Sequence, residues 1–83
     1  MYQLVIDRYA QKQLGKISPP HFNRIIKAIN ELAENPRPAG YRKLTGRPGY
    51  RIRIGDYRVI YNIEDKILVV FVIDIGHRKK IYD

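Results

Sequence analysis

Arg51, Arg53 and Arg58 stand within the stretch YRIRIGDYRVIY, residues 50–61, where apolar or aromatic residues alternate with arginine up to Gly55. Arginine keeps its charge in proteins and presents a planar fork of donors that matches phosphate. Arginines gathered on one surface can neutralise the backbone of a polyanion. They can also stabilise charge that builds on a phosphate under attack. Other groups fit the same chemistry. Lys43 precedes the stretch, and His77, Arg78 and Tyr82 follow it in the tail GHRKKIYD.

The elements that hold these residues follow from local pattern. Strict alternation argues a half-buried strand. A two-residue turn that begins with glycine suits a type II′ hairpin, here at Gly55-Asp56. Closing the turn there sets Ile54 opposite Tyr57, Arg53 opposite Arg58 and Ile52 opposite Val59. One face then carries Tyr50, Ile52, Ile54, Tyr57, Val59 and Tyr61. The other carries Arg51, Arg53 and Arg58, with Ile60. Like charges directly across a strand pair repel, and an ordinary solvated face mixes its signs. An anionic visitor is the simplest reason to gather them.

Bulk properties agree. The chain has 83 residues, 16 Lys plus Arg against 8 Asp plus Glu, and a net charge of +8. That length suits one small domain spanning residues 1–83. The charge predicts attraction to nucleic acid, anionic membrane or an acidic protein. There is no cysteine, which excludes disulfides, thiolate metal sites and cysteine nucleophiles. No His with Asp or Glu has metal-ligand spacing, so neither a metal nor a cofactor is expected. The longest apolar run, residues 67–73, is too short to span a bilayer. The N-terminus lacks the pattern of a signal peptide. A cytoplasmic location without membrane contact is the expectation.

Along the chain, residues 2–6 suit a short strand. Asp7 offers an N-cap to a helix from residue 8 to about 16. Ser18 followed by Pro19 reads as a cap and first turn of a second helix. Its stripe is Phe22, Ile25, Ile26, Ile29, Leu32 and Ala33, and Asn35-Pro36 ends it. Residues 35–49 read as loop, with three prolines and three glycines. After the hairpin, Glu64-Asp65-Lys66 turns the chain into a last strand at residues 67–75. That strand is apolar almost throughout and is expected near the sheet centre. The order β-α-α-β-β-β gives an α+β fold, with two helices on one face of a mainly antiparallel, about four-stranded sheet. The arginines must then point away from the helices.

The segment KLTGRPGYRIRIGDYRVIYNIEDKILVVFVIDIGHRKKIY, residues 43–82, resembles the RelE/ParE superfamily of bacterial and archaeal toxins. The resemblance rests on Lys-Leu-x-Gly at 43–46, YRIR at 50–53, YRVIY at 57–61, Gly-x-Arg at 76–78 and Tyr82. It implies a RelE-like fold over the whole chain. It also implies the toxin of a type II toxin–antitoxin system, an endoribonuclease that cuts mRNA in the ribosomal A site. The implied partners are the ribosome, mRNA and a RelB-like antitoxin, in a hetero-oligomer that binds operator DNA through the antitoxin. Carried over by position, the cleavage residues fall on Arg51, Arg53, Arg58, Arg78 and Tyr82. RelE-type enzymes often have lysine where this chain has Arg51 and Arg53, and the tail between Arg78 and Tyr82 is shorter than in some relatives.

The implied reaction is metal-independent transesterification by a ribose 2′-oxygen. It needs a base, charge stabilisation and a proton for the leaving oxygen. Arg58 and Arg78 are the candidates for stabilising charge; Arg51, Arg53 and Lys43 are candidates for holding RNA. His77 or Tyr82 is placed to move a proton, or Tyr82 stacks on a base. Arginine is unsuited to act as a general base. Other readings stand beside this one. The basic face docks an acidic antitoxin without catalysis, or the chain binds DNA gyrase as the ParE branch does.

Overall fold

A computed structural model describes residues 1–77. In chain order it runs β1 (Gln3–Ile6), α1 (Arg8–Leu14), α2 (His21–Glu34), β2 (Arg42–Lys43), β3 (Tyr50–Ile54), β4 (Tyr57–Glu64) and β5 (Val69–His77). The strands form one sheet in the order β1-β5-β4-β3-β2. Only the β1–β5 pairing is parallel; β5–β4, β4–β3 and β3–β2 are antiparallel. The α+β class and mainly antiparallel sheet are as expected, but the described residues form five strands rather than about four. The additional strand is β2, a two-residue pairing of Arg42 with Arg51 and Lys43 with Tyr50. It lies in the stretch read as loop because two residues are too few to display an alternation.

Asp7 caps α1: the Tyr9 backbone N–H donates to Asp7 Oδ2 at 3.2 Å. The second helix starts later than its Ser18-Pro19 signal suggests. It begins at His21, after Pro20 and without a side-chain cap. Pro20 explains this, because a residue that precedes proline is disfavoured in the α region. Pro19 therefore cannot open the helix, and the Phe22 N–H still reaches the Ser18 carbonyl at 3.1 Å.

Both helices pack on the face predicted for them. Ala10 and Leu14 of α1, and Ile25, Ile29 and Leu32 of α2, bury against Ile52, Val59, Tyr61, Val70, Val72 and Ile75. Tyr50, Ile54 and Tyr57 pack at the margin of this core. The fully buried Tyr61 donates its hydroxyl to the Pro36 carbonyl at 2.7 Å. Burial raises its pKa above the ordinary tyrosine value. A small second cluster, Leu44 and Ile60 with Ile73, lies on the opposite face.

The strand β5 starts two residues later than expected, at Val69, because Leu68 closes the β4–β5 turn with a left-handed φ of 54°. That turn is held by Asp65. Arg37 grips its carboxylate with both guanidinium nitrogens, at 2.8 and 3.2 Å, and the Tyr2 hydroxyl donates to it at 2.6 Å. Hydrogen bonds from Arg37 and then Tyr2 hold the Asp65 pKa at about 2, below its ordinary 3.8. A carboxyl with a lowered folded pKa adds stability above its unfolded value and loses it as pH falls through the folded one. Asp65→Asn should therefore remove the part of acid destabilisation that develops between about pH 3.8 and about 2. Thermal melts across that range check it. The pair is solvent-exposed, so the effect near neutral pH should be small.

Candidate functional site

The β3–β4 register matches the expected hairpin: Ile52 faces Val59, Arg53 faces Arg58 and Ile54 faces Tyr57. Gly55 takes a φ of +60°, the conformation that the first central position of a II′ turn requires. Partners directly across a ladder share a sheet face. Since Ile52 and Val59 are in the helix-covered core, Arg51, Arg53 and Arg58 lie on the other face. Arg51 is only 6% exposed, Arg58 is half-buried and Arg53 is exposed. Each also makes a polar, ionic or ring contact. Arg51 and Arg58 are thus charges held partly away from water, the setting in which a cation stabilises charge with little reorganisation.

The register extends this face. Arg42 pairs with Arg51, so β2 contributes a fourth arginine. Sequence reading missed it, since no pattern marked the short strand. Lys43 pairs with Tyr50 instead and lies on the helix side of the sheet edge. The 44–49 loop is anchored by the Leu44 N–H on the Gly49 carbonyl at 2.9 Å. Gly49 has a φ of +119°, and a Cβ there would lie 2.9 Å from Asn62 Oδ1 and 3.3 Å from the Tyr61 carbonyl. Only glycine lets the loop approach β4 this closely.

On β5 a bulge decides which residues join the arginines. Tyr61 pairs with Val72 but Ile60 pairs with Asp74, leaving Ile73 as the extra residue. Beyond it Val59 faces Ile75, Arg58 faces Gly76 and Tyr57 faces His77. A one-residue shift exchanges the two faces of a strand. Ile75 therefore enters the core, and Asp74 joins Arg42, Arg51 and Ile60 in a row across four strands. His77 goes to the helix side. Its ring meets Tyr57 edge-on at 5.6 Å, and Tyr57 meets His21 at 5.4 Å. Tyr57 and His77, with Tyr9, Gln13 and Lys16, line a cleft of about 270 Å³ whose rim Asp74 of β5 also reaches. The structure thus brings Arg51, Arg53 and Arg58 together and sets His77 apart from them, across the sheet. Arg78 and Tyr82 lie outside the described residues.

Asp74 is half-buried. Its pKa is raised, chiefly by loss of solvent, against the opposing pull of the Ile75 backbone N–H and the Arg47 charge. Among the described residues no group of His, Asp and Glu could hold a metal ion. Likewise, no helix among them is long and apolar enough to cross a membrane.

A sheet with two helices on one face and a group of arginines on the other defines a small, strongly basic α+β protein. The chain belongs to the family described as ParE toxin of type II toxin–antitoxin system, parDE, which matches residues 4–82. It is similar to the mRNA interferase toxin RelE of Escherichia coli K12, with 34% identity over 82 residues, covering 95% of this chain and 85% of that one. Among solved structures it resembles the archaeal RelE-RelB complex from Pyrococcus horikoshii OT3. There the TM-score is 0.83 at 29% identity, over 96% of this chain and 98% of that one. The intact E. coli RelBE toxin-antitoxin complex gives a TM-score of 0.80 at 34% identity, over 93% and 96% of the two chains.

Proposed function

We propose that this chain is the toxin of a type II toxin–antitoxin pair and that it cleaves mRNA in the ribosomal A site. The observation that carries the reading is the face bearing Arg42, Arg51, Arg53 and Arg58, placed by register and left uncovered by the helices. Its likeness to an mRNA interferase over nearly the whole chain supports the same reading. In the reaction the 2′-oxygen of a ribose attacks the adjacent phosphorus. The bond to the 5′-oxygen breaks, leaving a 2′,3′-cyclic phosphate and a 5′-hydroxyl. Arg51 and Arg53 hold phosphates. Arg58, with Arg78 from the tail, stabilises charge on the phosphorane-like transition state, and Tyr82 transfers a proton or stacks on a base. No metal is used. The ribosome aligns the strand, which is much of the work in such a scheme.

The partner is a RelB-like antitoxin with acidic or amphipathic segments, through which the complex binds operator DNA. Relatives of this chain are found in RelE-RelB complexes, and a charge of +8 favours an acidic partner whose association weakens with salt. The cytoplasm, where ribosomes are, is the site of action. A second reading, gyrase inhibition, is favoured by the family's description as ParE toxin. Parallel assays separate the two. Under the ribonuclease reading the protein stops cell-free translation and leaves gyrase supercoiling intact; the reverse result overturns it.

A further inference from the structure

Transesterification needs a group that takes the proton from the attacking 2′-hydroxyl. Arg51, Arg53 and Arg58 stay protonated and cannot do so. His77, the other candidate within the described residues, meets Tyr57 edge-on across the sheet from them. The bulge at Ile73 supplies a different group. It sets Asp74 beside Ile60, on the arginine face, and opens Gly76 opposite Arg58. Asp74 thus lies one strand over from Arg58, about 5 Å, and two residues along, about 7 Å. That separation suits a carboxylate at a ribose whose 3′-phosphate rests on Arg58. Glu64 shares the face by alternation but stands six residues along β4 from Arg58, roughly 20 Å.

We propose that the Asp74 carboxylate is the general base of the cleavage reaction, placed there by the β5 bulge. The inference rests on the ribonuclease reading and names the base within it. The 2′-hydroxyl gives its proton to Asp74 as its oxygen bonds to phosphorus. The P–O5′ bond breaks, and the departing 5′-oxygen takes a proton from water. The hydroxide so formed recovers the proton from Asp74, so nothing is consumed but the RNA linkage. Asp74 pairs with the apolar Ile60, and the Ile75 N–H donates to it. The charged and titratable groups that face it are Arg47 from the loop, Arg58 on the adjacent strand, Arg51 and Arg42 farther along its row, and Tyr9, Lys16 and His77 of the cleft it borders. Partial burial raises its affinity for a proton despite these charges, which makes it a stronger base than a solvated aspartate.

The test is single-turnover cleavage on ribosomes that carry a defined A-site codon, followed against pH for the parent, Asp74→Asn and Asp74→Glu. Asp74→Asn keeps size and shape, so the fold and ribosome binding should persist. The cleavage rate should fall roughly a hundredfold or more. The acid limb of the parent profile, set above the ordinary aspartate value, should disappear, and Asp74→Glu should restore part of the rate with its own limb. Asp74→Asn cleaving at the parent rate overturns the proposal. So does a slower Asp74→Asn that keeps the parent's acid limb, since that marks a structural role. If the parent itself leaves mRNA intact on ribosomes, the ribonuclease reading fails and the base assignment fails with it.

Discussion

Replacing Arg58 by alanine should slow single-turnover mRNA cleavage by roughly a hundredfold or more, the scale seen when one preorganised charge-stabilising group is lost. Arg58 is suited to this role by its position. It pairs with Arg53 across the hairpin and with Gly76 on β5, so a partner with no side chain leaves room above it. It is half-buried with its Nε shielded from solvent. A charge fixed away from water acts more strongly than one that must be drawn in. An interaction used only in the transition state affects the chemical rate, whereas one used equally before it affects binding. Arg58→Ala should therefore still bind ribosomes. Arg53→Ala, at an exposed site, should chiefly weaken binding and reduce its dependence on salt. Saturating single-turnover kinetics separate the two. Equal rates for Arg58→Ala and the parent, once bound, make Arg58 a docking contact.

Ile25→Ala should remove about 2–5 kcal/mol of folding stability, the usual range for emptying a buried isoleucine site. Ile25 is fully buried where α2 meets the sheet core. At about 0.05–0.15 kcal/mol per residue, a chain of this length has roughly 4–12 kcal/mol in total. The substitution therefore brings the free protein close to unfolding. Ile67→Ala is the control. Ile67 is 64% exposed in the β4–β5 turn, so its loss should stay within about 0.5 kcal/mol. Urea unfolding of both variants checks the contrast. Comparable losses would mean that the helix-covered face is not the core.

The hairpin was legible in the sequence because its turn allows one register. Gly55-Asp56 permits a two-residue loop, the loop fixes Arg53 opposite Arg58, and alternation does the rest. The helix-covered face was legible for the same reason, since α2 presents a stripe and YRIRI presents its complement. The bulge was not. ILVVFVIDI is apolar on both faces, so shifting it by one residue leaves no mark in the pattern. The fates of Asp74 and His77 hang on that shift, and sequence reading accordingly counted His77 among its candidates for proton transfer and passed over Asp74. The signal present was a lone acid inside an apolar strand, a residue that is costly to bury without a reason. Lys43 and Arg42 exchanged importance because β2 is two residues long, and its register comes from the fold of the 44–49 loop rather than from any local periodicity.

The most direct measurement is to map the ends of an mRNA translated in a purified cell-free system with and without the protein. Primer extension locates each cut, and end-labelling tests its chemistry. An A-site ribonuclease gives cuts inside codons, only on translated message, with 2′,3′-cyclic phosphate and 5′-hydroxyl ends, and Arg58→Ala lowers their yield at a fixed time. Intact message in the presence of the protein, together with inhibited gyrase supercoiling, would contradict the ribonuclease reading and assign the arginine face to a protein target.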